Sequence, residues 1–230
     1  MIDLNMIDLN VYWVLLIVAS LVLGFGTQIY IKSRYKKWGK VANTLGYTGG
    51  QAARKMLDAN GLYHVAIDVT SGTLTDHFNP KTNTVSLSEQ VYYNRSVSAL
   101  ASACHECGHA VQYARSYVPA TLRSAMILPI NIASSVWMFV LIAGIFMSLA
   151  GLIWAAIGLY AITIIFQLVT LPVEFNASSR AMEYINSFGI VQQAESKGAR
   201  SVLSAASLTY VAAALVSLMQ LLYLVGLARR

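Results

Sequence analysis

Three uncharged, apolar stretches and one polar region between the first two set the plan of the chain. The first stretch, Val11 to Ile31, holds no Asp, Glu, Lys or Arg, and a helix of that length crosses the roughly 30 Å of hydrocarbon in a bilayer at about 1.5 Å per residue. It predicts a transmembrane helix over 11–31. No basic segment precedes it, whereas Lys32, Arg34, Lys36, Lys37 and Lys40 follow at once, so it reads as a retained anchor and not a cleaved signal peptide. The second stretch, Ser124 to Val173, is long enough for two crossings, a hairpin over 124–171 turning around Ser148-Leu149-Ala150-Gly151. Pro172 then suits the first turn of a new helix, since it lacks only an N–H that would have no partner there. That helix is expected over 172–189, with Gly189 as its stop. The last stretch, over 201–228, is long enough for a fourth crossing, although Ser201, Ser204 and Ser207 put a polar stripe on its first turns and start it at the interface.

The polar region, residues 35–123, carries the periodicities of a small α+β domain. Thr48 caps a helix through Gly50 to Leu57, which Asn60-Gly61 ends. Val65, Ile67 and Val69 alternate with Ala66 and Asp68 as a half-buried strand; Asn79-Pro80 and Thr82-Asn83 turn the chain, and Val85 and Leu87 alternate again, giving one short sheet. From about Ser96 a helix runs through Leu100, His105 and Gln112 and stops before Pro119. The tail, residues 1–10, is Met-Ile-Asp-Leu-Asn written twice, with Met6 as an alternative start; no structural role is assigned to the repeat.

Composition narrows the class further. The chain is 57% hydrophobic and 11% charged, against roughly a quarter charged in soluble proteins, which excludes a soluble monomer. The net charge is +6, but the bases cluster between Lys32 and Lys55, so the excess reads as membrane topology and not as a nucleic-acid face. By the positive-inside rule, 35–123 faces the cytoplasm of a multi-pass cell-membrane protein. The partners expected are membrane lipid and a peptide or membrane-protein substrate, with no nucleic acid. Two cysteines, Cys104 and Cys107, are too few for a disulfide scaffold and suit a reducing compartment.

The chemistry is concentrated at His105-Glu106-Cys107-Gly108-His109, an H-E-x-x-H pattern on the expected helix. Residues four apart lie about 40° apart around a helix, so His105 and His109 can offer imidazoles to one metal. Glu106, about 60° from His109, sits where a carboxylate can accept a proton from an activated water and hand it to a leaving amine. Residues drawn independently at this chain's frequencies would produce the pattern roughly 0.0015 times, which sets chance aside. Cys104 and Cys107 point away from the histidine face and read as small buried hydrophobes.

His105-Glu106-Cys107-Gly108-His109-Ala110-Val111-Gln112, with Leu74-Thr75-Asp76-His77-Phe78-Asn79-Pro80 before it and Pro172-Val173-Glu174-Phe175-Asn176-Ala177-Ser178 after it, resembles the YugP-like family of membrane neutral zinc metallopeptidases over nearly the whole chain. That family is similar in layout to the membrane gluzincins. The resemblance implies a mainly α multi-pass membrane protein with a small zincin-like cytoplasmic domain, peptide hydrolysis with one Zn2+, and Glu174 as the third ligand. The chain departs from the family pattern at Asn176, where Asp is usual, and at Ser179, where Arg is usual, which touches contacts around the ligands and not the ligands themselves.

Inventory points to Glu174 as well. Asp3 and Asp8 lie across the membrane, and Asp58, Asp68, Asp76 and Glu89 belong to the sheet domain. Glu183 is turned about 180° from Glu174 on the same helix, Glu195 lies in a Gln-rich connection, and a hairpin that crosses twice returns Glu174 to the side of His105 and His109. His77, ahead of Asn79-Pro80, is a candidate donor to the oxyanion of a tetrahedral intermediate or else a surface histidine. Arg180 and Tyr184 can bind a substrate carbonyl or anchor the helix at the interface. An intramembrane protease of the site-2 kind would need the motif inside a spanning helix and a distal Asp, and no Asp follows Asp76. The remaining alternative is a non-catalytic membrane scaffold or chaperone with a structural zinc site.

Overall fold

The structure, a computed structural model, describes residues 9–187 and 193–229. Residues 1–8 of the duplicated start, and Gly189 as a helix stop, lie outside them. The elements are α1 (Leu9–Trp38), α2 (Gly49–Ala59), β1 (Ala66–Thr70), β2 (His77–Asn79), β3 (Thr84–Ser88), α3 (Glu89–Tyr92), α4 (Val97–Ala114), α5 (Val118–Ala125), α6 (Ile127–Phe146), α7 (Ala150–Ser187) and α8 (Gln193–Ala228). The protein is mainly helical, and α1, α6, α7 and α8 are the four described helices long and apolar enough to cross a membrane.

The chain divides into two compact units, one of Met1–Thr27, Leu122–Leu171 and Thr209–Arg230, the other of Gln28–Thr121 and Pro172–Leu208. The first presents large apolar side chains outward, Phe139 and Phe146 among them, as a surface in lipid requires. Leu141, Ala156, Ile157, Tyr160, Ile164 and Leu224 pack inside it. Polar groups inside it bond side chain to side chain, Gln167 Nε2 donating to Ser217 Oγ at 2.9 Å and the Tyr160 hydroxyl to Gln220 Oε1 at 3.2 Å, or to the helix backbone, as Thr27 does to the Leu23 carbonyl and Thr170 to the Phe166 carbonyl. Gly144 lets the α6–α7 hairpin close, since a Cβ there would stand 2.9 Å from the Ile153 nitrogen.

The second unit holds the sheet, in order β1-β3-β2, with β1 parallel and β2 antiparallel to β3. Both side-chain faces of the central strand are used: Val85, Leu87 and Ser88 are fully buried, and Thr84 nearly so. β1 is an edge strand, so the alternation expected of it is realised only in part: Ile67 is half-buried while Val69 is 42% exposed. The Thr48 side chain accepts from the Gln51 N–H and the Gln51 side chain accepts from the Thr48 N–H, a reciprocal cap that starts α2. Gly61, at φ +74°, ends it in the left-handed region. α4 runs through the middle of the core, between Met56 and Leu57 of α2 and Ala181 and Ile185 of α7.

Two expectations are corrected. No helix begins at Pro172; α7 continues through it from Ala150 to Ser187. A proline inside a helix costs about 3 kcal/mol or more in a lost hydrogen bond and a clash. Val173, Ala177, Ala181 and Ile185 beyond it are all at most 1% exposed, and burying a Val or Ile stabilises by about 1.5–3 kcal/mol each, enough to hold the helix through. The polar domain is also not continuous in sequence, because 172–208 returns to complete its core.

Candidate metal centre

α4 starts at Ser96, whose Oγ accepts from the Ala99 N–H, and carries His105 and His109 one turn apart with ring centroids 4.8 Å from each other. It is not among the four helices suited to crossing a membrane. Glu174 arrives from α7, 3% exposed, with Oε2 at 3.3 Å from His105 Nε2 and 3.7 Å from His109 Nε2. The three donor atoms lie within 4.8 Å of one another. Four tetrahedral ligands at about 2.1 Å from a zinc ion are spaced about 3.4 Å apart, so His105, His109 and Glu174 fit one such ion and leave its fourth position open.

The outer nitrogens of both rings are held in turn. His109 Nδ1–H donates to Gln112 Oε1 at 3.0 Å, and Gln112 Nε2 donates to the Val173 carbonyl at 2.7 Å and to Asn176 Oδ1 at 3.0 Å. Asn176 Oδ1 also accepts from Arg180 Nε at 2.7 Å. His105 Nδ1 lies 3.2 Å from Ser178 Oγ. Gln112 Oε1 can only accept, so the neutral His109 ring carries its proton on Nδ1, the tautomer a metal ligand needs, while Nε2 of both rings faces Glu174. Burial pulls the His109 pKa down, but the Glu174 hydrogen bond and the charge of Glu106 outweigh it and leave it raised.

Gly108 sets how close the two helices come. A Cβ on it would stand 2.6 Å from the Ala177 carbonyl oxygen, so only glycine lets α7 approach α4 with Glu174 in reach. Glu106 is 9% exposed, and no described residue makes a hydrogen bond or ion pair with its carboxylate. It stands beside the cluster with its oxygens uncommitted.

His77 is not part of the cluster: it lies exposed on the edge strand β2, its Nδ1 2.9 Å from the Thr75 carbonyl. Arg180 is engaged by Asn176, and Tyr184 packs against the core. Cys104 and Cys107 are completely buried, Cys107 Sγ–H donating to the Ala53 carbonyl at 3.5 Å. Burial pushes the Cys104 thiol up to about 12 and the Cys107 thiol up as well, and neither belongs to the cluster of possible ligands. Ser178 was not singled out by sequence; its position four residues after Glu174, on the same helical face, was the available signal.

The sequence model of the family described as "Putative neutral zinc metallopeptidase" matches residues 12–229. The chain belongs to that family. It is also similar to a curated protein of Bacillus subtilis (strain 168), "Putative membrane protease YugP", at 47% identity over 210 residues, covering 91% of this chain and 93% of that protein. No solved structure gives a significant match. Membership supports a hydrolase and a zinc ion, and the relative's name supports a membrane protease.

Proposed function

We propose that this member of the family is a membrane-anchored zinc-dependent endopeptidase that holds one Zn2+ through His105, His109 and Glu174 and hydrolyses peptide bonds of polypeptides near the membrane surface. The observation that carries this is the convergence of three ligand atoms, with both outer ring nitrogens engaged, beside an uncommitted Glu106. When bound, zinc supplies Lewis-acid polarisation of a carbonyl and of water. Glu106 takes the proton from the attacking water at its carboxylate and delivers it to the leaving amine. Gln112 holds the His109 imidazole in one tautomer and orientation, and Ser178 holds the orientation of His105. The dry surroundings of α4 strengthen each of these contacts relative to water. The positive run at Lys32 to Lys40 supports a cytoplasmic position for the catalytic unit.

Metal analysis of the purified full-length protein tests the ligand set. Wild type and Glu183→Ala are expected to carry one zinc per chain after dialysis, and Glu174→Ala to lose it. Stoichiometric zinc in Glu174→Ala with loss in Glu183→Ala would remove Glu174 from the site.

A further inference from the structure

Away from the metal centre, the second unit contains an open cavity of about 590 Å³ beside the end of α1, its lining mainly apolar with lysines and amides among the lining residues. Lys32 and Lys36 stand one turn apart on α1, and Lys40, in the turn just past its end, joins them on the wall. Gln90, Asn94 and Ser98 face them from α3, the segment after it and the first turn of α4. The volume is that of a small-ligand site, which spans roughly 300–1,000 Å³. Gly39 is part of the lining, where a Cβ would stand 3.0 Å from the Tyr35 carbonyl oxygen and 3.4 Å from Ser98 Oγ.

The cations of this run are not equivalent. Arg34 stacks over the Tyr30 ring at 4.8 Å and Lys37 over the Trp38 ring at 5.3 Å. Lys32, Lys36 and Lys40 are exposed, and no described acid lies within ion-pair distance of any of them. Asp76, on the segment leading into β2, directs its carboxylate instead to the Ser88 N–H at 2.7 Å and hydroxyl at 3.0 Å. Lys32 and Lys36, like charges four residues apart on α1, repel one another, an arrangement an anion relieves. The Gln90 and Asn94 side chains make no hydrogen bond to the described residues, so their amide donors point to no internal partner. Ser98, only 1% exposed, lies at the floor with its Oγ 3.2 Å from Ser96 Oγ.

Position along the chain identifies the anion. Lys32 is the first residue after the uncharged segment 11–31, which puts the cavity at the depth of lipid headgroups if α1 spans. We propose that the cavity binds a phosphate group, as presented by the headgroup of an anionic phospholipid. The three ammonium groups neutralise the phosphate, and the Gln90 and Asn94 amides take its remaining oxygens and the headgroup hydroxyls.

The test uses the full-length, delipidated protein in a neutral detergent, titrated with short-chain phosphatidylglycerol, short-chain phosphatidylcholine or inorganic phosphate, with binding followed by calorimetry. Saturable binding of phosphatidylglycerol but not phosphatidylcholine is expected, weakened at least tenfold in Lys36→Gln/Lys40→Gln. It should be kept within about twofold in Arg34→Gln/Lys37→Gln, which removes the same charge outside the cavity, and in Lys36→Arg/Lys40→Arg. Inorganic phosphate binding as tightly as phosphatidylglycerol, with the same variant pattern, would assign the site to free phosphate. Equal weakening in both glutamine pairs, or no saturable binding of either phosphate compound, would overturn the site.

Discussion

Replacing Gly108 by Ala adds one methyl group at the closest approach of α4 and α7, and the structure sets its cost. The new Cβ would lie 2.6, 3.1 and 3.2 Å from the carbonyl oxygen, Cα and carbonyl carbon of Ala177, all backbone atoms that no rotamer change can move. Reaching ordinary contact at 3.4 Å requires α7 to retreat by about 0.8 Å. Alanine gains about 1 kcal/mol over glycine in helix propensity, while overpacking a close-packed core costs about 1–3 kcal/mol, so the fold loses up to about 2 kcal/mol. The larger effect falls on the site. Glu174 precedes Ala177 by less than one turn of α7, and a zinc site tolerates about ±0.2 Å in its ligand distances, so zinc affinity should fall by about 10–100-fold, as for other displaced supports of metal ligands. The assay is competition with a chromophoric chelator on the full-length protein in detergent, with helix content followed by circular dichroism. Gly158→Ala, where nothing lies within 4 Å of the added carbon, serves as the control and should bind zinc like wild type. Affinity within twofold of wild type in Gly108→Ala would refute the role given to this contact.

Gln112→Ala removes the acceptor that holds His109 Nδ1 and should weaken zinc binding by about 10–100-fold in the same assay; Asn176→Ala, which leaves the Gln112 bond to the Val173 carbonyl in place, should cost less, and the reverse order would break the relay. A cysteine introduced beside Lys81 is expected to be protected from impermeant thiol reagents added to intact cells, as a cytoplasmic residue is, with no background from the buried Cys104 and Cys107. Labelling from outside would invert the orientation.

What could be read from sequence was local. The Thr48 cap, the Asn60-Gly61 stop and the lengths of the apolar stretches each depend on a few neighbouring residues or on composition alone, and the H-E-x-x-H spacing puts two imidazoles on one helical face whatever surrounds it. What was not legible depends on partners distant in the chain. Pro172 reads as a helix start until the burial of Val173, Ala177 and Ile185 in another segment's core is known. The exposure of Val69 follows from β1 being an edge, a fact of strand order and not of its own alternation. The supports of the ligands, Ser178 on His105 and the Gln112–Asn176–Arg180 chain on His109, join α4 to α7 across more than sixty residues. Asn176, noted as a departure from the family pattern, accepts hydrogen bonds from both Gln112 and Arg180.

The central claim is that Glu106 moves the proton at a zinc site built by its neighbours. Zinc content and casein hydrolysis measured together on purified wild type and Glu106→Gln test it most directly, because the amide keeps the shape of the carboxylate and cannot accept the proton. Wild type should carry one zinc and hydrolyse the substrate until a chelator removes the metal. The variant should carry the same zinc and lose activity by about 10²–10⁴-fold. Turnover near the wild-type rate in Glu106→Gln, or a fully zinc-loaded wild type with no hydrolysis of casein or of a membrane-protein substrate, would contradict the account.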